Sequence, residues 1–261
     1  MQAIAFEKIN CNMVKNFVIV TIVIFLSLQC QGADLPSDIA KCKAGDNACI
    51  RDKIMELFKK FPKGNPEFGM PNISALSKNN VVISRASPDA PVQLNFKFLD
   101  YTCYGFENAV VVNTTGWTKK PKVIEAHLRV PSLRMGGEYE GSGKILFLTL
   151  NGKGKGLVEL VDCTAFTKFE IRLEKRNNGK NYAKIIKMKV DLEPKKLKAN
   201  MENLVPNSKE LSDSLNDVLN NNWKDVWNAL SDGISKAFSE AIAEKITQVF
   251  DVLSYDDFYA E

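Results

Sequence analysis

Between Ser208 and Leu253 the apolar residues Leu211, Leu215, Val218, Leu219, Trp223, Val226, Trp227, Leu230, Ile234, Phe238, Ile242, Ile246, Val249, Phe250 and Leu253 recur at steps of three and four. That spacing sets them on one helical face. A single helix over Ser208–Leu253 would extend ~70 Å if straight, against ~30 Å for a small domain, so something extended has to cover its stripe. The alternative is a coiled-coil seam. The stripe is wide and aromatic, however, and Gly233 sits within it, which favours a helix wrapped by other elements.

Upstream the period changes to two. Val92, Leu94, Phe96 and Phe98 alternate with Gln93, Asn95 and Lys97, and Ile124, Ala126, Leu128 and Val130 alternate with Glu125, His127 and Arg129. Such alternation predicts strands with one apolar and one wet face. Ala109–Val112 continues the strand character, and Gly116-Trp117 falls in the turn after it. Two further strand-like runs, Leu157–Leu173 and Tyr182–Leu192, are joined by Asn177-Asn178-Gly179, a hairpin signal. Glycines crowd residues 136–156 without the Gly-Lys-Ser/Thr spacing of a phosphate loop, so they read as bends and bulges of a curved sheet. The expected class is α+β: a long C-terminal helix wrapped by a strongly curved antiparallel β-sheet, in one elongated domain.

The N-terminus sets the compartment. Lys15 precedes the apolar run Phe17–Leu28, and Ser27, Cys30 and Gly32 supply the small residues of a cleavage site before Ala33. Residues 1–32 are expected to be a secretory signal peptide, with Met13 a second candidate start, and residues 33–261 the mature domain. Removal of Glu7, Lys8 and Lys15 leaves 33 basic and 30 acidic residues, a nearly neutral chain without the basic patch that nucleic acid requires. Cys42, Cys49, Cys103 and Cys163 remain, an even number in an oxidising compartment. Seven residues on an unbroken helix rise ~10 Å, too far for a disulfide, so a Cys42–Cys49 bridge requires a turn. Gly45-Asp46-Asn47 supplies it, with Asp46 capping a helix through Ile50, Ile54, Leu57 and Phe58, and a stapled two-helix cap is expected. Cys103 and Cys163 are either a second bridge or two buried thiols. Asn72-Ile73-Ser74 and Asn113-Thr114-Thr115 are glycosylation acceptors.

Catalytic patterns are sparse. His127, the one histidine, falls on a polar strand face, where a solvated side chain is the simplest reading. The chain carries no Gly-x-Ser-x-Gly elbow, His-Glu-x-x-His helix or Cys-x-x-Cys pair, and no cofactor or metal is expected. Paired carboxylates leave a hydrolase open without singling out any pair.

Several motifs in order resemble one family: Cys42-x6-Cys49 after a leader, Tyr104-Gly105-Phe106 and Gly137-Glu138-Tyr139 through Gly143-Lys144-Ile145-Leu146. To these are added the Gly-Lys-Gly-Lys-Gly run at 152–156, Leu219-Asn220-Asn221-Asn222-Trp223 and Ser254-Tyr255-Asp256-Asp257-Phe258. Across the mature chain the sequence resembles the secreted insect takeout and haemolymph juvenile-hormone-binding proteins. The resemblance implies a tubular lipid-binding fold with an internal apolar tunnel. It also implies a ligand such as juvenile hormone or another long lipophilic molecule, and for the takeout branch links to feeding, circadian output and chemosensation. The expected function is that of a secreted, monomeric, non-catalytic carrier of a small lipophilic ligand, without stable membrane insertion and with any receptor unidentified. Its expected lining comprises Phe96, Phe98, Leu128, Val130, Tyr139, Phe147, Trp223, Trp227, Leu230, Ile234 and Phe238; plain core packing is the competing reading of each. A membrane- or lipopolysaccharide-binding defence protein is the alternative, and a secreted hydrolase based on His127 comes third.

Overall fold

The computed structural model describes residues 35–85, 92–145 and 148–260. The chain divides into units 1–32 and 33–261; the expected signal peptide, and Phe147, lie outside the described residues.

The second unit begins with helix α1 (Asn47–Lys60) and continues through β1 (Leu76–Arg85), β2 (Val92–Tyr104), β3 (Val110–Thr115), β4 (Val123–Ile145), β5 (Leu148–Lys175) and β6 (Asn181–Met201). Helices α2 (Lys209–Asn221) and α3 (Trp223–Val252) follow, and a 3-10 turn, Tyr255–Phe258, comes after them. All strand pairs are antiparallel, in the order β1-β2-β4-β5-β6, with β3 also paired to β4. The predicted alternation holds: Val92, Leu94, Phe96 and Phe98 are buried, and so are Ile124 and Val130. The glycine-rich stretch does not interrupt the strands. It lies inside β4 and β5, of 23 and 28 residues, which pair from Val123↔Glu170 to Ile145↔Leu148.

A waist divides the sheet. Pro131, with no N–H to give, and Asp162, with φ 47°, drop out of the β4–β5 ladder opposite one another. On one side of the waist β2 pairs with residues 134–145 of β4; on the other, β3 pairs with residues 125–129. The chain crosses between them at Gly105, where φ is 111° and a Cβ would stand 2.1 Å from the Ser132 carbonyl oxygen, so only glycine fits. The Asp162 carboxylate accepts from Arg129 at 2.6 and 3.1 Å and pairs with Lys195 at 2.6 Å. Hydrogen bonding to Arg129, then to Lys195, holds its pKa down to about 2.

The C-terminal helix differs from the sequence expectation in continuity. It breaks at Asn222, with φ −104° and ψ 29°, and runs unbroken through Gly233. The Asn222 side chain donates to the Val218 carbonyl at 2.8 Å, the local competition with backbone bonding that makes asparagine a helix interrupter, whereas glycine costs only ~1 kcal/mol. Both helices seal the free edge of β6. Asn216 accepts from the Met201 N–H and donates to its carbonyl, each at 2.9 Å, and Asn220 does the same with Ala199 at 2.8 Å. Four residues of helix rise ~6 Å and two of strand ~6.6 Å, so side chains one turn apart match alternate strand residues. Further along, the Val190 N–H donates to Ser239 Oγ at 2.8 Å.

The expected two-helix cap is one helix. The Asp46 carboxylate accepts from the Cys49 N–H at 3.0 Å and caps α1, and Cys42–Cys49 is a disulfide with a Cα separation of 5.8 Å. Residues 35–46 are irregular apart from an isolated bridge of Cys42 to Tyr259, backed by the Ala260 N–H donating to the Cys42 carbonyl at 2.9 Å. The staple spans the helix cap, which leaves Cys42 outside the helix and free to pair with the C-terminal segment. Cys103 and Cys163 are buried free thiols rather than a second bridge.

Candidate functional site: an apolar cavity at the disulfide end

Beyond the waist, on the α1 side, the sheet and α3 border a partly open cavity of about 330 Å³. Its walls come from Ile50, Ile54 and Leu57 of α1 and Ala126 and Leu128 of β4. Ala165, Thr167 and Phe169 of β5, Met188 and Val190 of β6, and Ile246, Val249 and Phe250 of α3 complete the ring. Phe258 and Tyr259 close it from the C-terminal segment. Small inward side chains on the two longest strands, Ala126, Ala165 and Thr167, leave the gap.

The neutral polar groups at the wall are engaged elsewhere. Thr167 Oγ1 donates to the Ala126 carbonyl at 3.2 Å, and Trp117 Nε1 donates to Thr114 Oγ1 at 2.7 Å. The Tyr255 and Tyr259 hydroxyls bond each other at 2.7 Å, and burial raises the pKa of both. The loop at Trp117 ties the cap together: its carbonyl accepts from the Gly45 N–H at 2.7 Å, and the Thr118 carbonyl accepts from Tyr255 at 3.1 Å.

On the other side of the waist the interior is filled. Phe96, Phe98, Tyr139, Leu230, Ile234 and Phe238 are buried in one cluster that also takes in Val130 beside the waist, with Trp223 and Trp227 packed against it. Rings Phe96 and Tyr139 meet edge to face at 5.9 Å between centroids. The ring of Phe96 lies over Gly141, where a Cβ would come within 2.6 Å of it. Gly141 therefore seats an aromatic ring where any side chain would collide with it.

A family model for haemolymph juvenile hormone binding protein matches residues 19–260. The chain belongs to this family. It is similar to the circadian clock-controlled protein daywake of Drosophila melanogaster, 27% identical over 185 residues, or 69% of this chain and 70% of that one. The daywake protein of Drosophila yakuba is 25% identical over 183 residues, with the same coverage. The crystal structure of Takeout 1 from Epiphyas postvittana superposes with a TM-score of 0.72 at 23% identity, covering 85% of this chain and 99% of that one, so the fold is shared.

In this family member, of the described residues read from the sequence as lining, Leu128 borders the cavity. Phe96, Phe98, Val130, Tyr139, Trp223, Trp227, Leu230, Ile234 and Phe238 do not; they belong to the packed interior. They pack against neighbouring side chains there, as Phe96 and Phe98 do on Tyr139 and Phe238 on Phe106. Sequence reasoning passed over Ala126, Ala165 and Thr167, whose signal was a run of small residues at inward strand positions, and Trp117, whose signal was an aromatic beside a turn glycine. His127 lies on the opposite strand face from Ala126 and Leu128, half-buried and stacked on Phe166 at 4.5 Å. Asn72 and Asn113 are both exposed. Among the described residues no group of three or more metal-ligating side chains occurs, and no helix is long and apolar enough to cross a membrane.

Proposed function

We propose that the protein is a secreted, monomeric, glycosylated carrier that holds one elongated lipophilic molecule in this cavity, after removal of residues 1–32. The observation that carries the reading is the cavity itself: apolar, partly open and about 330 Å³, in a family named for binding a lipophilic hormone. That volume is at the low end of the ~300–1,000 Å³ of small-molecule sites, which suits one acyl or isoprenoid chain and not a diacyl lipid. Chains of about 12 to 20 carbons have the methylenes for micromolar binding at ~0.8 kcal/mol each after ordering costs. The position of His127, on the far face of β4, supports binding over hydrolysis. A clock-linked role, by likeness to daywake, belongs to the same proposal.

The test is displacement of N-phenyl-1-naphthylamine, a neutral fluorescent probe, by long-chain alcohols and methyl esters, in wild type and in Ala165→Phe. The variant fills space that is empty, so its melting temperature should hold or rise while probe affinity falls at least about tenfold, or 1.4 kcal/mol. Equal affinity in a folded Ala165→Phe protein, or no displacement at any chain length, would show that the cavity is not the binding site.

A further inference from the structure

Among the described residues, every charged side chain at the cavity wall is a lysine: Lys41, Lys53 and Lys245. Lys41 is exposed, but Lys53 and Lys245 are not placed as solvated surface lysines. Lys53 sits on the apolar face of α1 with Ile50, Ile54 and Leu57, and Lys245 on the inward stripe of α3 between Ile242, Ile246 and Val249, at helical spacing. Lys245 is 22% exposed and Lys53 30%, against 74% for Lys195 and 83% for Lys209. A lysine on a core-facing stripe loses hydration and packing, so its presence beside an apolar cavity needs a partner there.

Their partners within the protein are incomplete. Lys53 pairs with Glu56 at 2.7 Å and Lys245 with Glu244 at 2.8 Å, and neither glutamate borders the cavity. An ammonium carries three donors, so one carboxylate contact leaves two. Lys41, beside the disulfide, makes no ion pair among the described residues. With the Thr167, Trp117 and Tyr259 polar atoms already bonded within the protein, these lysines hold the only spare side-chain donors among the described residues around the cavity.

We infer that the ligand is a single-chain amphiphile with an anionic head, a long-chain carboxylate. Its tail lies among Ala126, Ala165, Met188 and Val249 and its head is met by Lys41, Lys53 and Lys245 at the α1 side. This rests on the carrier reading and narrows it, because a neutral ester or alcohol would leave the lysine donors unused. Charge-assisted N–H···O bonds are about twice as strong as neutral ones, so the head should decide between ligands of equal chain length.

The experiment compares cis-parinaric acid with its methyl ester by fluorescence titration, in wild type and in Lys53→Met, Lys245→Met and the triple variant with Lys41→Met. Methionine keeps an apolar stem of similar length, and Lys245→Arg serves as the charge-retaining control. The acid should bind wild type at least about tenfold more tightly than the ester, and added salt should narrow that gap. The triple variant should lose the preference while its ester affinity stays within about twofold, and Lys245→Arg should keep it. Equal binding of acid and ester to wild type, or an acid preference that survives in a folded triple variant, overturns the anionic-head inference and leaves the carrier reading standing. Binding of neither ligand overturns both.

Discussion

Tyr139 reports on how the packed side of the waist is held. Its ring is 1% exposed, touches Phe96 and Phe98, and its hydroxyl donates to the Glu202 carbonyl at 2.6 Å, while burial lifts its pKa to about 12. Tyr139→Phe should cost ~1 kcal/mol in urea unfolding and Tyr139→Ala ~3–5 kcal/mol, with lipid-probe affinity unchanged in either folded variant, since the residue is not at the cavity. The two thiols carry a pH signature. Burial raises Cys163 to about 12 and Cys103 higher, so above the ~8.5 of an unfolded thiol the folded chain keeps protons that the unfolded chain releases. Stability should therefore fall as pH rises from about 8 toward 12, and the fall should be shallower in Cys163→Ala. Iodoacetamide should label neither thiol of the chain from Ala33 in the native state and both in urea; native labelling at pH 8 would contradict the burial. At this scale the sequence was least informative. Inward positions were legible from alternation, but the seating of Phe96 over Gly141 was not, because that pairing is set by register across two strands.

The edge seal of β6 depends on two asparagines one helical turn apart. Each of Asn216→Ala and Asn220→Ala removes two bonds to the same strand residue and leaves buried backbone groups exposed to no new partner, so each should cost ~1–3 kcal/mol. The double variant should add hydrogen exchange at the Ala199 and Met201 amides; protected amides there would show that the helix does not hold this edge. The disulfide at the opposite end closes a short loop, worth ~2 kcal/mol. Cys42→Ser with Cys49→Ser should leave the packed cluster intact in near-ultraviolet dichroism but weaken lipid binding, because Cys42 borders the cavity. The alternation in β2 and β4, the hairpin at residues 177–179 and the Asp46 cap were readable from period and turn chemistry, whereas β1 (Leu76–Arg85) was not read. The break at Asn222 was not, because an unbroken apolar stripe runs through it; the interruption comes from one amide bonding its own helix.

For the molecule as a whole, one fold carries two interiors: a close-packed one that holds the sheet to α2 and the start of α3, and an open one that α1 and the C-terminal segment cover. A ligand that binds only the folded state should stabilise by ~2.7 kcal/mol at a hundredfold excess over its dissociation constant, so delipidated protein should melt lower and recover on adding a long-chain acid. The joint between Cys42 and Tyr259 also fixes an order of events during biosynthesis. More than 200 residues separate the two, and at ~5–20 residues per second a ribosome needs roughly 10–40 seconds to make them. The Cys42–Cys49 pair is available for oxidation throughout that interval, while the lid it belongs to has nothing to dock on. A nascent chain therefore leaves its apolar cavity open until the last strand and helix have emerged, and the moment of closure coincides with the arrival of Tyr255 and Tyr259.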